Sequence, residues 1–79
     1  MRAKKRFGQN FLQDPLVIGD IVGLVPIRDG LHLLEIGPGQ GALTTQLCRI
    51  DPSMTVVELD RDLIHGLEAL LPKTATILE

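Results

Sequence analysis

The sequence runs to 79 residues, a length at which a folded domain buries only about 60% of the surface its unfolded chain exposes, so one small domain at most is expected. Apolar residues make up 44% and charged residues 23%, a globular balance that excludes collagenous, low-complexity and disordered chains. The net charge of −2 conceals an asymmetry: Arg2, Lys4, Lys5 and Arg6 are half of the eight basic residues and precede the first acid, Asp14, leaving an acidic body.

In chain order, the basic arm reads either as a contact for a polyanion or as a solvated terminus that binds nothing. Phe7-Gly8-Gln9-Asn10-Phe11-Leu12 follows without periodicity, an aromatic-anchored loop whose two amides can line a pocket. Asp14-Pro15 is a helix start, with Asp14 as N-cap and Pro15 at the first helical position. Val17, Ile18, Ile21, Val22 and Val25 give this helix one apolar stripe, and Pro26 with Asp29-Gly30 ends it. Leu31 to Ile36 is an almost continuous apolar run, which predicts a strand buried on both faces of a parallel sheet. The glycine cluster Gly37-Pro38-Gly39-Gln40-Gly41 turns the chain into a second helix with Leu43, Leu47 and Ile50 on one face, stopping before Asp51-Pro52. Thr55 to Leu59 is a second strand. Asp60 caps a third helix in which Leu63, Leu67, Leu70 and Leu71 face inward, and Ala75 to Leu78 begins a third strand.

A helix followed by β-α-β-α-β is the opening half of a doubly wound α/β fold with right-handed crossovers. Three strands leave a sheet edge and apolar surface uncovered, so the sequence is expected to be the N-terminal part of a larger enzyme, with an incomplete parallel sheet. Cys48 is the only cysteine, which leaves no internal disulfide and points to a reducing, cytoplasmic compartment. No apolar run reaches the roughly 20 residues of a membrane span, so no membrane partner is expected. His32 and His65 have no second ligand at metal spacing and read as packing or surface residues, so no metal is expected.

The chemistry is concentrated at the carboxyl end of the first strand, where open α/β sheets bind ligands. A loop that must pass close to a ligand excludes Cβ atoms, which explains Gly37 and Gly39. Two cofactor classes use such a loop. Gly37, Gly39 and Ala42 satisfy a dinucleotide fingerprint, as in an NAD-dependent oxidoreductase, and the same loop suits S-adenosyl-L-methionine. Glu35 favours the second, because its carboxylate repels a pyrophosphate and attracts the ammonium of a methionine moiety. Glu58, about 20 residues past the loop, stands where an acid accepts hydrogen bonds from ribose hydroxyls in either class. Asp60 and Asp62 read as cap and dipole partners.

The three stretches Phe7 to Leu12, Glu35-Ile36-Gly37-Pro38-Gly39-Gln40-Gly41-Ala42-Leu43-Thr44 and Val57-Glu58-Leu59-Asp60, in register over nearly the whole chain, resemble the ribosomal RNA adenine dimethyltransferase family. The Phe-Gly-Gln-Asn-Phe-Leu form is similar to the housekeeping branch, which dimethylates two adjacent adenosines near the 3′ end of small-subunit ribosomal RNA. The antibiotic-resistance branch, acting on large-subunit RNA, shares Gln-Asn-Phe-Leu and stands as the alternative.

The resemblance implies a Rossmann-like class I S-adenosylmethionine-dependent methyltransferase fold, with residues 1–13 an arm and cofactor-contacting loop and residues 14–79 the first half of the catalytic domain. It implies that Asn10 and Leu12 hold the cofactor's methionine end, that Gly37 and its neighbours contact it through backbone, and that Glu58 binds the ribose. It further implies that Arg2, Lys4, Lys5 and Arg6 contact ribosomal RNA phosphates in immature subunits, with the enzyme a monomer. The family's acidic residue after the third strand and its Asn-Leu-Pro-Tyr-like catalytic loop after the fourth are not among these residues. No catalytic residue is therefore expected within them, and they are expected to be inactive alone.

Overall fold

The computed structural model describes residues 13–79, so the basic arm and the Phe7 to Leu12 loop lie outside the described residues. Six elements follow in the order α1 (Pro15–Gly23), β1 (Leu34–Ile36), α2 (Ala42–Ile50), β2 (Thr55–Val57), α3 (Arg61–Leu70) and β3 (Thr76–Leu78). This is the mixed α/β architecture expected, with a parallel sheet ordered β1-β2-β3.

Each helix start follows from its local chemistry. Asp14 is extended and its Oδ1 accepts from the Leu16 amide at 2.9 Å, while Pro15 occupies the first turn. Asp60 does the same for α3, accepting from the Asp62 amide at 2.9 Å. The first helix ends at Gly23, earlier than Pro26. Leu24 and Val25 donate to the carbonyls of Ile21 and Val22, tightening the last turn, and Pro26 keeps Val25 from continuing the helix.

The first strand is shorter than its apolar run. It begins at Leu34 because the Leu33 amide donates to Asp51 Oδ2 at 2.8 Å, a carboxylate delivered by the end of α2. Leu33 still accepts from the Thr55 amide, so pairing with β2 starts only there. β3 likewise starts one residue late, since the Ala75 amide is taken by a turn to Pro72.

Among the described residues one face of the first strand is covered and the other is open, as expected of three strands with an incomplete sheet. Glu35, Val56 and Ile77 are register partners and share one face, whereas Leu34 and Ile36 point to the other, where Ile36 is 76% exposed. Strands in sequence order with crossovers of one hand place α2 and α3 on the same face. There Leu47, Met54, Val56, Leu67 and Leu71 form the core, and α1 packs against α2. Leu70, expected to face inward, is 54% exposed, because Leu67 and Leu71 already take the inward turn of α3. Met54 is wholly buried, as a residue filling the gap before β2 should be. No helix among the described residues is long and apolar enough to cross a membrane.

Candidate functional site

The loop between β1 and α2 is shaped by three glycines of positive φ: Gly37 at 68°, Gly39 at 60° and Gly41 at 90°. Gly41 closes the turn by donating to Pro38 O at 3.1 Å and is the left-handed N-cap of α2, offering no side chain to cover the helix start. A Cβ on Gly41 would lie 3.0 Å from Leu67 Cδ2, so this glycine lets α2 and α3 approach each other. A Cβ on Gly39 would meet nothing within 4 Å, and Gly39 lines a cavity of about 80 Å³. A side chain at Gly39 would have room that one at Gly41 would not.

Glu35 lines the same cavity, with Pro38, Leu43 and, from α3, Leu63. Gln13 and Gln40 stand at it too, joined by a hydrogen bond from Gln13 Nε2 to Gln40 Oε1 at 3.3 Å. Burial pushes the Glu35 carboxyl above its ordinary value, and a hydrogen bond from Thr44 Oγ1 to Glu35 Oε1 at 2.6 Å opposes that rise. Glu35 is the only ionisable side chain lining the cavity among the described residues.

Gly37 and Glu58 follow the last register pair, Ile36 and Val57, and so stand side by side at the carboxyl ends of β1 and β2. The Gly37 amide donates to Val57 O and the Glu58 amide to Leu78 O, each at 2.9 Å. Glu58 is buried, and its Oε2 accepts from the Leu59 and Asp60 amides at 2.9 and 3.0 Å. Those two bonds end the strand at Val57 and orient the carboxylate. Glu58 does not border the cavity that Glu35 and Gly39 share, so the expected site residues form two neighbouring groups along one sheet end. Asn10, Leu12, Arg2, Lys4, Lys5 and Arg6 lie outside the described residues.

Two residues were not singled out by the sequence. Thr44 is fully buried on the inner face of α2, three residues from Leu47, and a polar residue on an apolar helical stripe is the signal that finds it. Asp51 organises the opposite end of the sheet. Besides Leu33, it accepts from the Ser53 amide at 3.1 Å and the Ser53 hydroxyl at 2.8 Å, and His32 Nδ1 lies 3.5 Å from it. The backbone bond from Leu33, then the Ser53 hydroxyl, hold its carboxyl below the ordinary value against the smaller effect of burial. The Asp-Pro-Ser run is an Asx-turn signal that the helix-stop reading did not use. His32 precedes β1 rather than lying in it, and its Nε2 is 2.9 Å from Thr55 Oγ1. Cys48 is half-buried and its thiol bonds to Thr45 O. Among the described residues no three metal-ligating side chains cluster.

The cavity fits a cationic, phosphate-free ligand. Among the described residues it offers a carboxylate, a glycine with open space beside it, and no basic side chain for a pyrophosphate.

Comparison with known proteins adds family-level information. Residues 1–78 match the family model described as ribosomal RNA adenine dimethylase. Relatives named ribosomal RNA small subunit methyltransferase A are 61% identical over 71 residues in Acidithiobacillus ferrooxidans, covering 90% of this chain and 27% of that protein. The protein of that name in Laribacter hongkongensis is 52% identical over 75 residues, 95% of this chain and 29% of its own. The Colwellia psychrerythraea protein is 51% identical over 80 residues, 99% and 27%. The chain thus spans less than a third of the length of these relatives.

Proposed function

Because this chain belongs to the ribosomal RNA adenine dimethylase family, we propose that residues 14–79 are the first half of the methyltransferase domain of a small-subunit ribosomal RNA adenine dimethyltransferase, and that they bind S-adenosyl-L-methionine. The observation that carries this reading is the meeting of Glu35 and the open Gly39 cradle in one cavity at the carboxyl end of β1. S-adenosyl-L-methionine supplies an electrophilic methyl group on its sulfonium. The residues of this chain bind and orient. Glu35 receives the ammonium of the methionine moiety, Gly39 admits the ligand to the backbone, and Glu58 takes the ribose hydroxyls with the carboxylate that Leu59 and Asp60 hold in place.

Asn10 and Leu12 hold the methionine end, and the basic arm of Arg2, Lys4, Lys5 and Arg6 contacts RNA phosphates in immature small subunits, a contribution that weakens with salt. The enzyme acts as a cytoplasmic monomer, and the groups that orient the target adenines belong to the part of the protein beyond these residues. The names of the relatives support the small-subunit over the large-subunit branch. The carboxylate in the cavity speaks against an NAD-dependent oxidoreductase.

Calorimetric titration of the intact protein tests the reading. S-adenosyl-L-methionine binds and NAD does not, and Glu58→Ala weakens binding about tenfold to a hundredfold, the loss of hydrogen bonds to a charged acceptor. Unchanged affinity in Glu58→Ala, or preference for NAD, overturns it. Transfer of label from the cofactor to immature small subunits, absent with large subunits, tests the substrate.

A further inference from the structure

Two adjacent threonines lie in the first turn of α2, and they behave differently. Thr45 Oγ1 bonds locally to the Ala42 carbonyl at 3.0 Å, the usual resting place of a hydroxyl within a helix. Thr44 Oγ1 instead reaches nine residues back to Glu35 Oε1 at 2.6 Å, from a side chain that is 0% exposed. Packing alone does not require a hydroxyl there, since valine has the same shape and threonine is a poor helix former.

We propose that Thr44 is a positioning residue for the cofactor site: its hydroxyl fixes the Glu35 carboxylate against the wall of the cavity. The inference rests on the reading of that cavity as the seat of the cofactor's cationic end. The side chain of Thr44 is wholly enclosed and its hydroxyl already bonds Glu35 Oε1 rather than a carbonyl of its own helix, so packing holds the hydroxyl at one place before any ligand arrives. Among the described residues no other group bonds to the Glu35 carboxyl, and the amides of Gln13 and Gln40 at the same cavity are bonded to each other. Val56, its register partner on the covered face, is apolar, α2 presents Ala42 and Leu43, and α3 presents Leu63. Nothing charged faces Glu35 among the described residues, so burial works to neutralise it and the Thr44 bond is the opposing influence. Thr44 thereby sets the pH below which the cavity loses its anion.

The test uses the intact protein with Thr44→Val, which keeps shape and removes the hydroxyl, and Thr44→Ser, which keeps the hydroxyl. Thr44→Ala repeats the measurement with a smaller side chain if the valine variant does not fold. The Glu35 carboxyl is titrated by carbon-13 NMR, its resonance assigned by loss in Glu35→Gln, and S-adenosyl-L-methionine affinity is measured by calorimetry across the same pH range.

Thr44→Val is expected to move the Glu35 midpoint upward by about one pH unit, the equivalent of one charge-assisted hydrogen bond. The acid limb of cofactor binding moves with it, and Thr44→Ser restores both. A Glu35 midpoint that stays in place in Thr44→Val overturns the role of Thr44 while leaving the cofactor reading intact. A midpoint that moves without the binding profile following, or a wild-type protein that does not bind the cofactor, overturns the part given to Glu35 and the proposal with it.

Discussion

The loop glycines separate two demands that a sequence motif merges, and alanine substitutions distinguish them. Gly41 has φ 90°, and a Cβ there would sit 3.0 Å from Leu67 Cδ2 and 3.5 Å from Leu70 Cδ1. A left-handed alanine costs about 1 to 2 kcal/mol. Pushing Leu67, which the core encloses, off its rotamer adds about 0.5 to 1.5 kcal/mol, and the stiffer unfolded chain returns about 0.4 to 1 kcal/mol. Gly41→Ala therefore destabilises by about 0.5 to 3 kcal/mol. Gly39 has φ 60° and open space around its Cβ, so only the backbone contribution remains and Gly39→Ala costs about 0 to 1.6 kcal/mol. Ligand binding reverses the order. Gly39 belongs to the lining of the cavity that Glu35 shares, whereas the Gly41 methyl points at α3. Urea denaturation of the intact protein at equal slope, together with calorimetry of S-adenosyl-L-methionine, reads both quantities. The reasoning fails if Gly39→Ala destabilises as much as Gly41→Ala, or if Gly41→Ala weakens the cofactor more.

Met54 is 0% exposed in the central cluster, so Met54→Ala is expected to cost about 2 to 5 kcal/mol in urea denaturation; truncating Leu59, 83% exposed, changes stability by less than about 0.5 kcal/mol. Equal effects would place the core elsewhere. The pH dependence of stability carries opposite contributions from two carboxyls. The folded state lowers the Asp51 carboxyl below 3.8, so its stabilisation is complete above that value and is lost as pH falls through the folded midpoint. Glu35 is raised above 4.5, so its protonated form stabilises the fold at low pH and that contribution disappears as pH rises through its midpoint. The stability gap between wild type and Asp51→Asn therefore narrows on acidification, and a gap constant between about pH 2 and pH 6 refutes the assignment.

Much of the placement of the candidate site residues was legible without coordinates because its signals are local. Gly39 and Glu35 are four residues apart, and a glycine cluster ending an apolar run places both at a sheet's carboxyl end. Thr44 was legible only as one letter of a family motif. Its partner is nine residues away across a turn, and the bond depends on α2 lying over the face that carries Glu35. Asp51 was read as the end of a helix, since its hold on Leu33 spans 18 residues and is invisible to periodicity.

The same division runs through the fold. By itself the sequence determined the order of elements, the starts of α1 and α3 at Asp14 and Asp60, the end of α2 at Asp51-Pro52 and the turn at Gly37 to Gly41, because period, capping and φ preference act within a few residues. Only the tertiary structure decided that β1 begins at Leu34, that Ile36 looks outward and that Leu70 stays at the flank of α3. Those outcomes depend on which partner reaches a backbone amide first and on two crossovers of one hand placing their helices on one face, and neither is a property of any short stretch of chain.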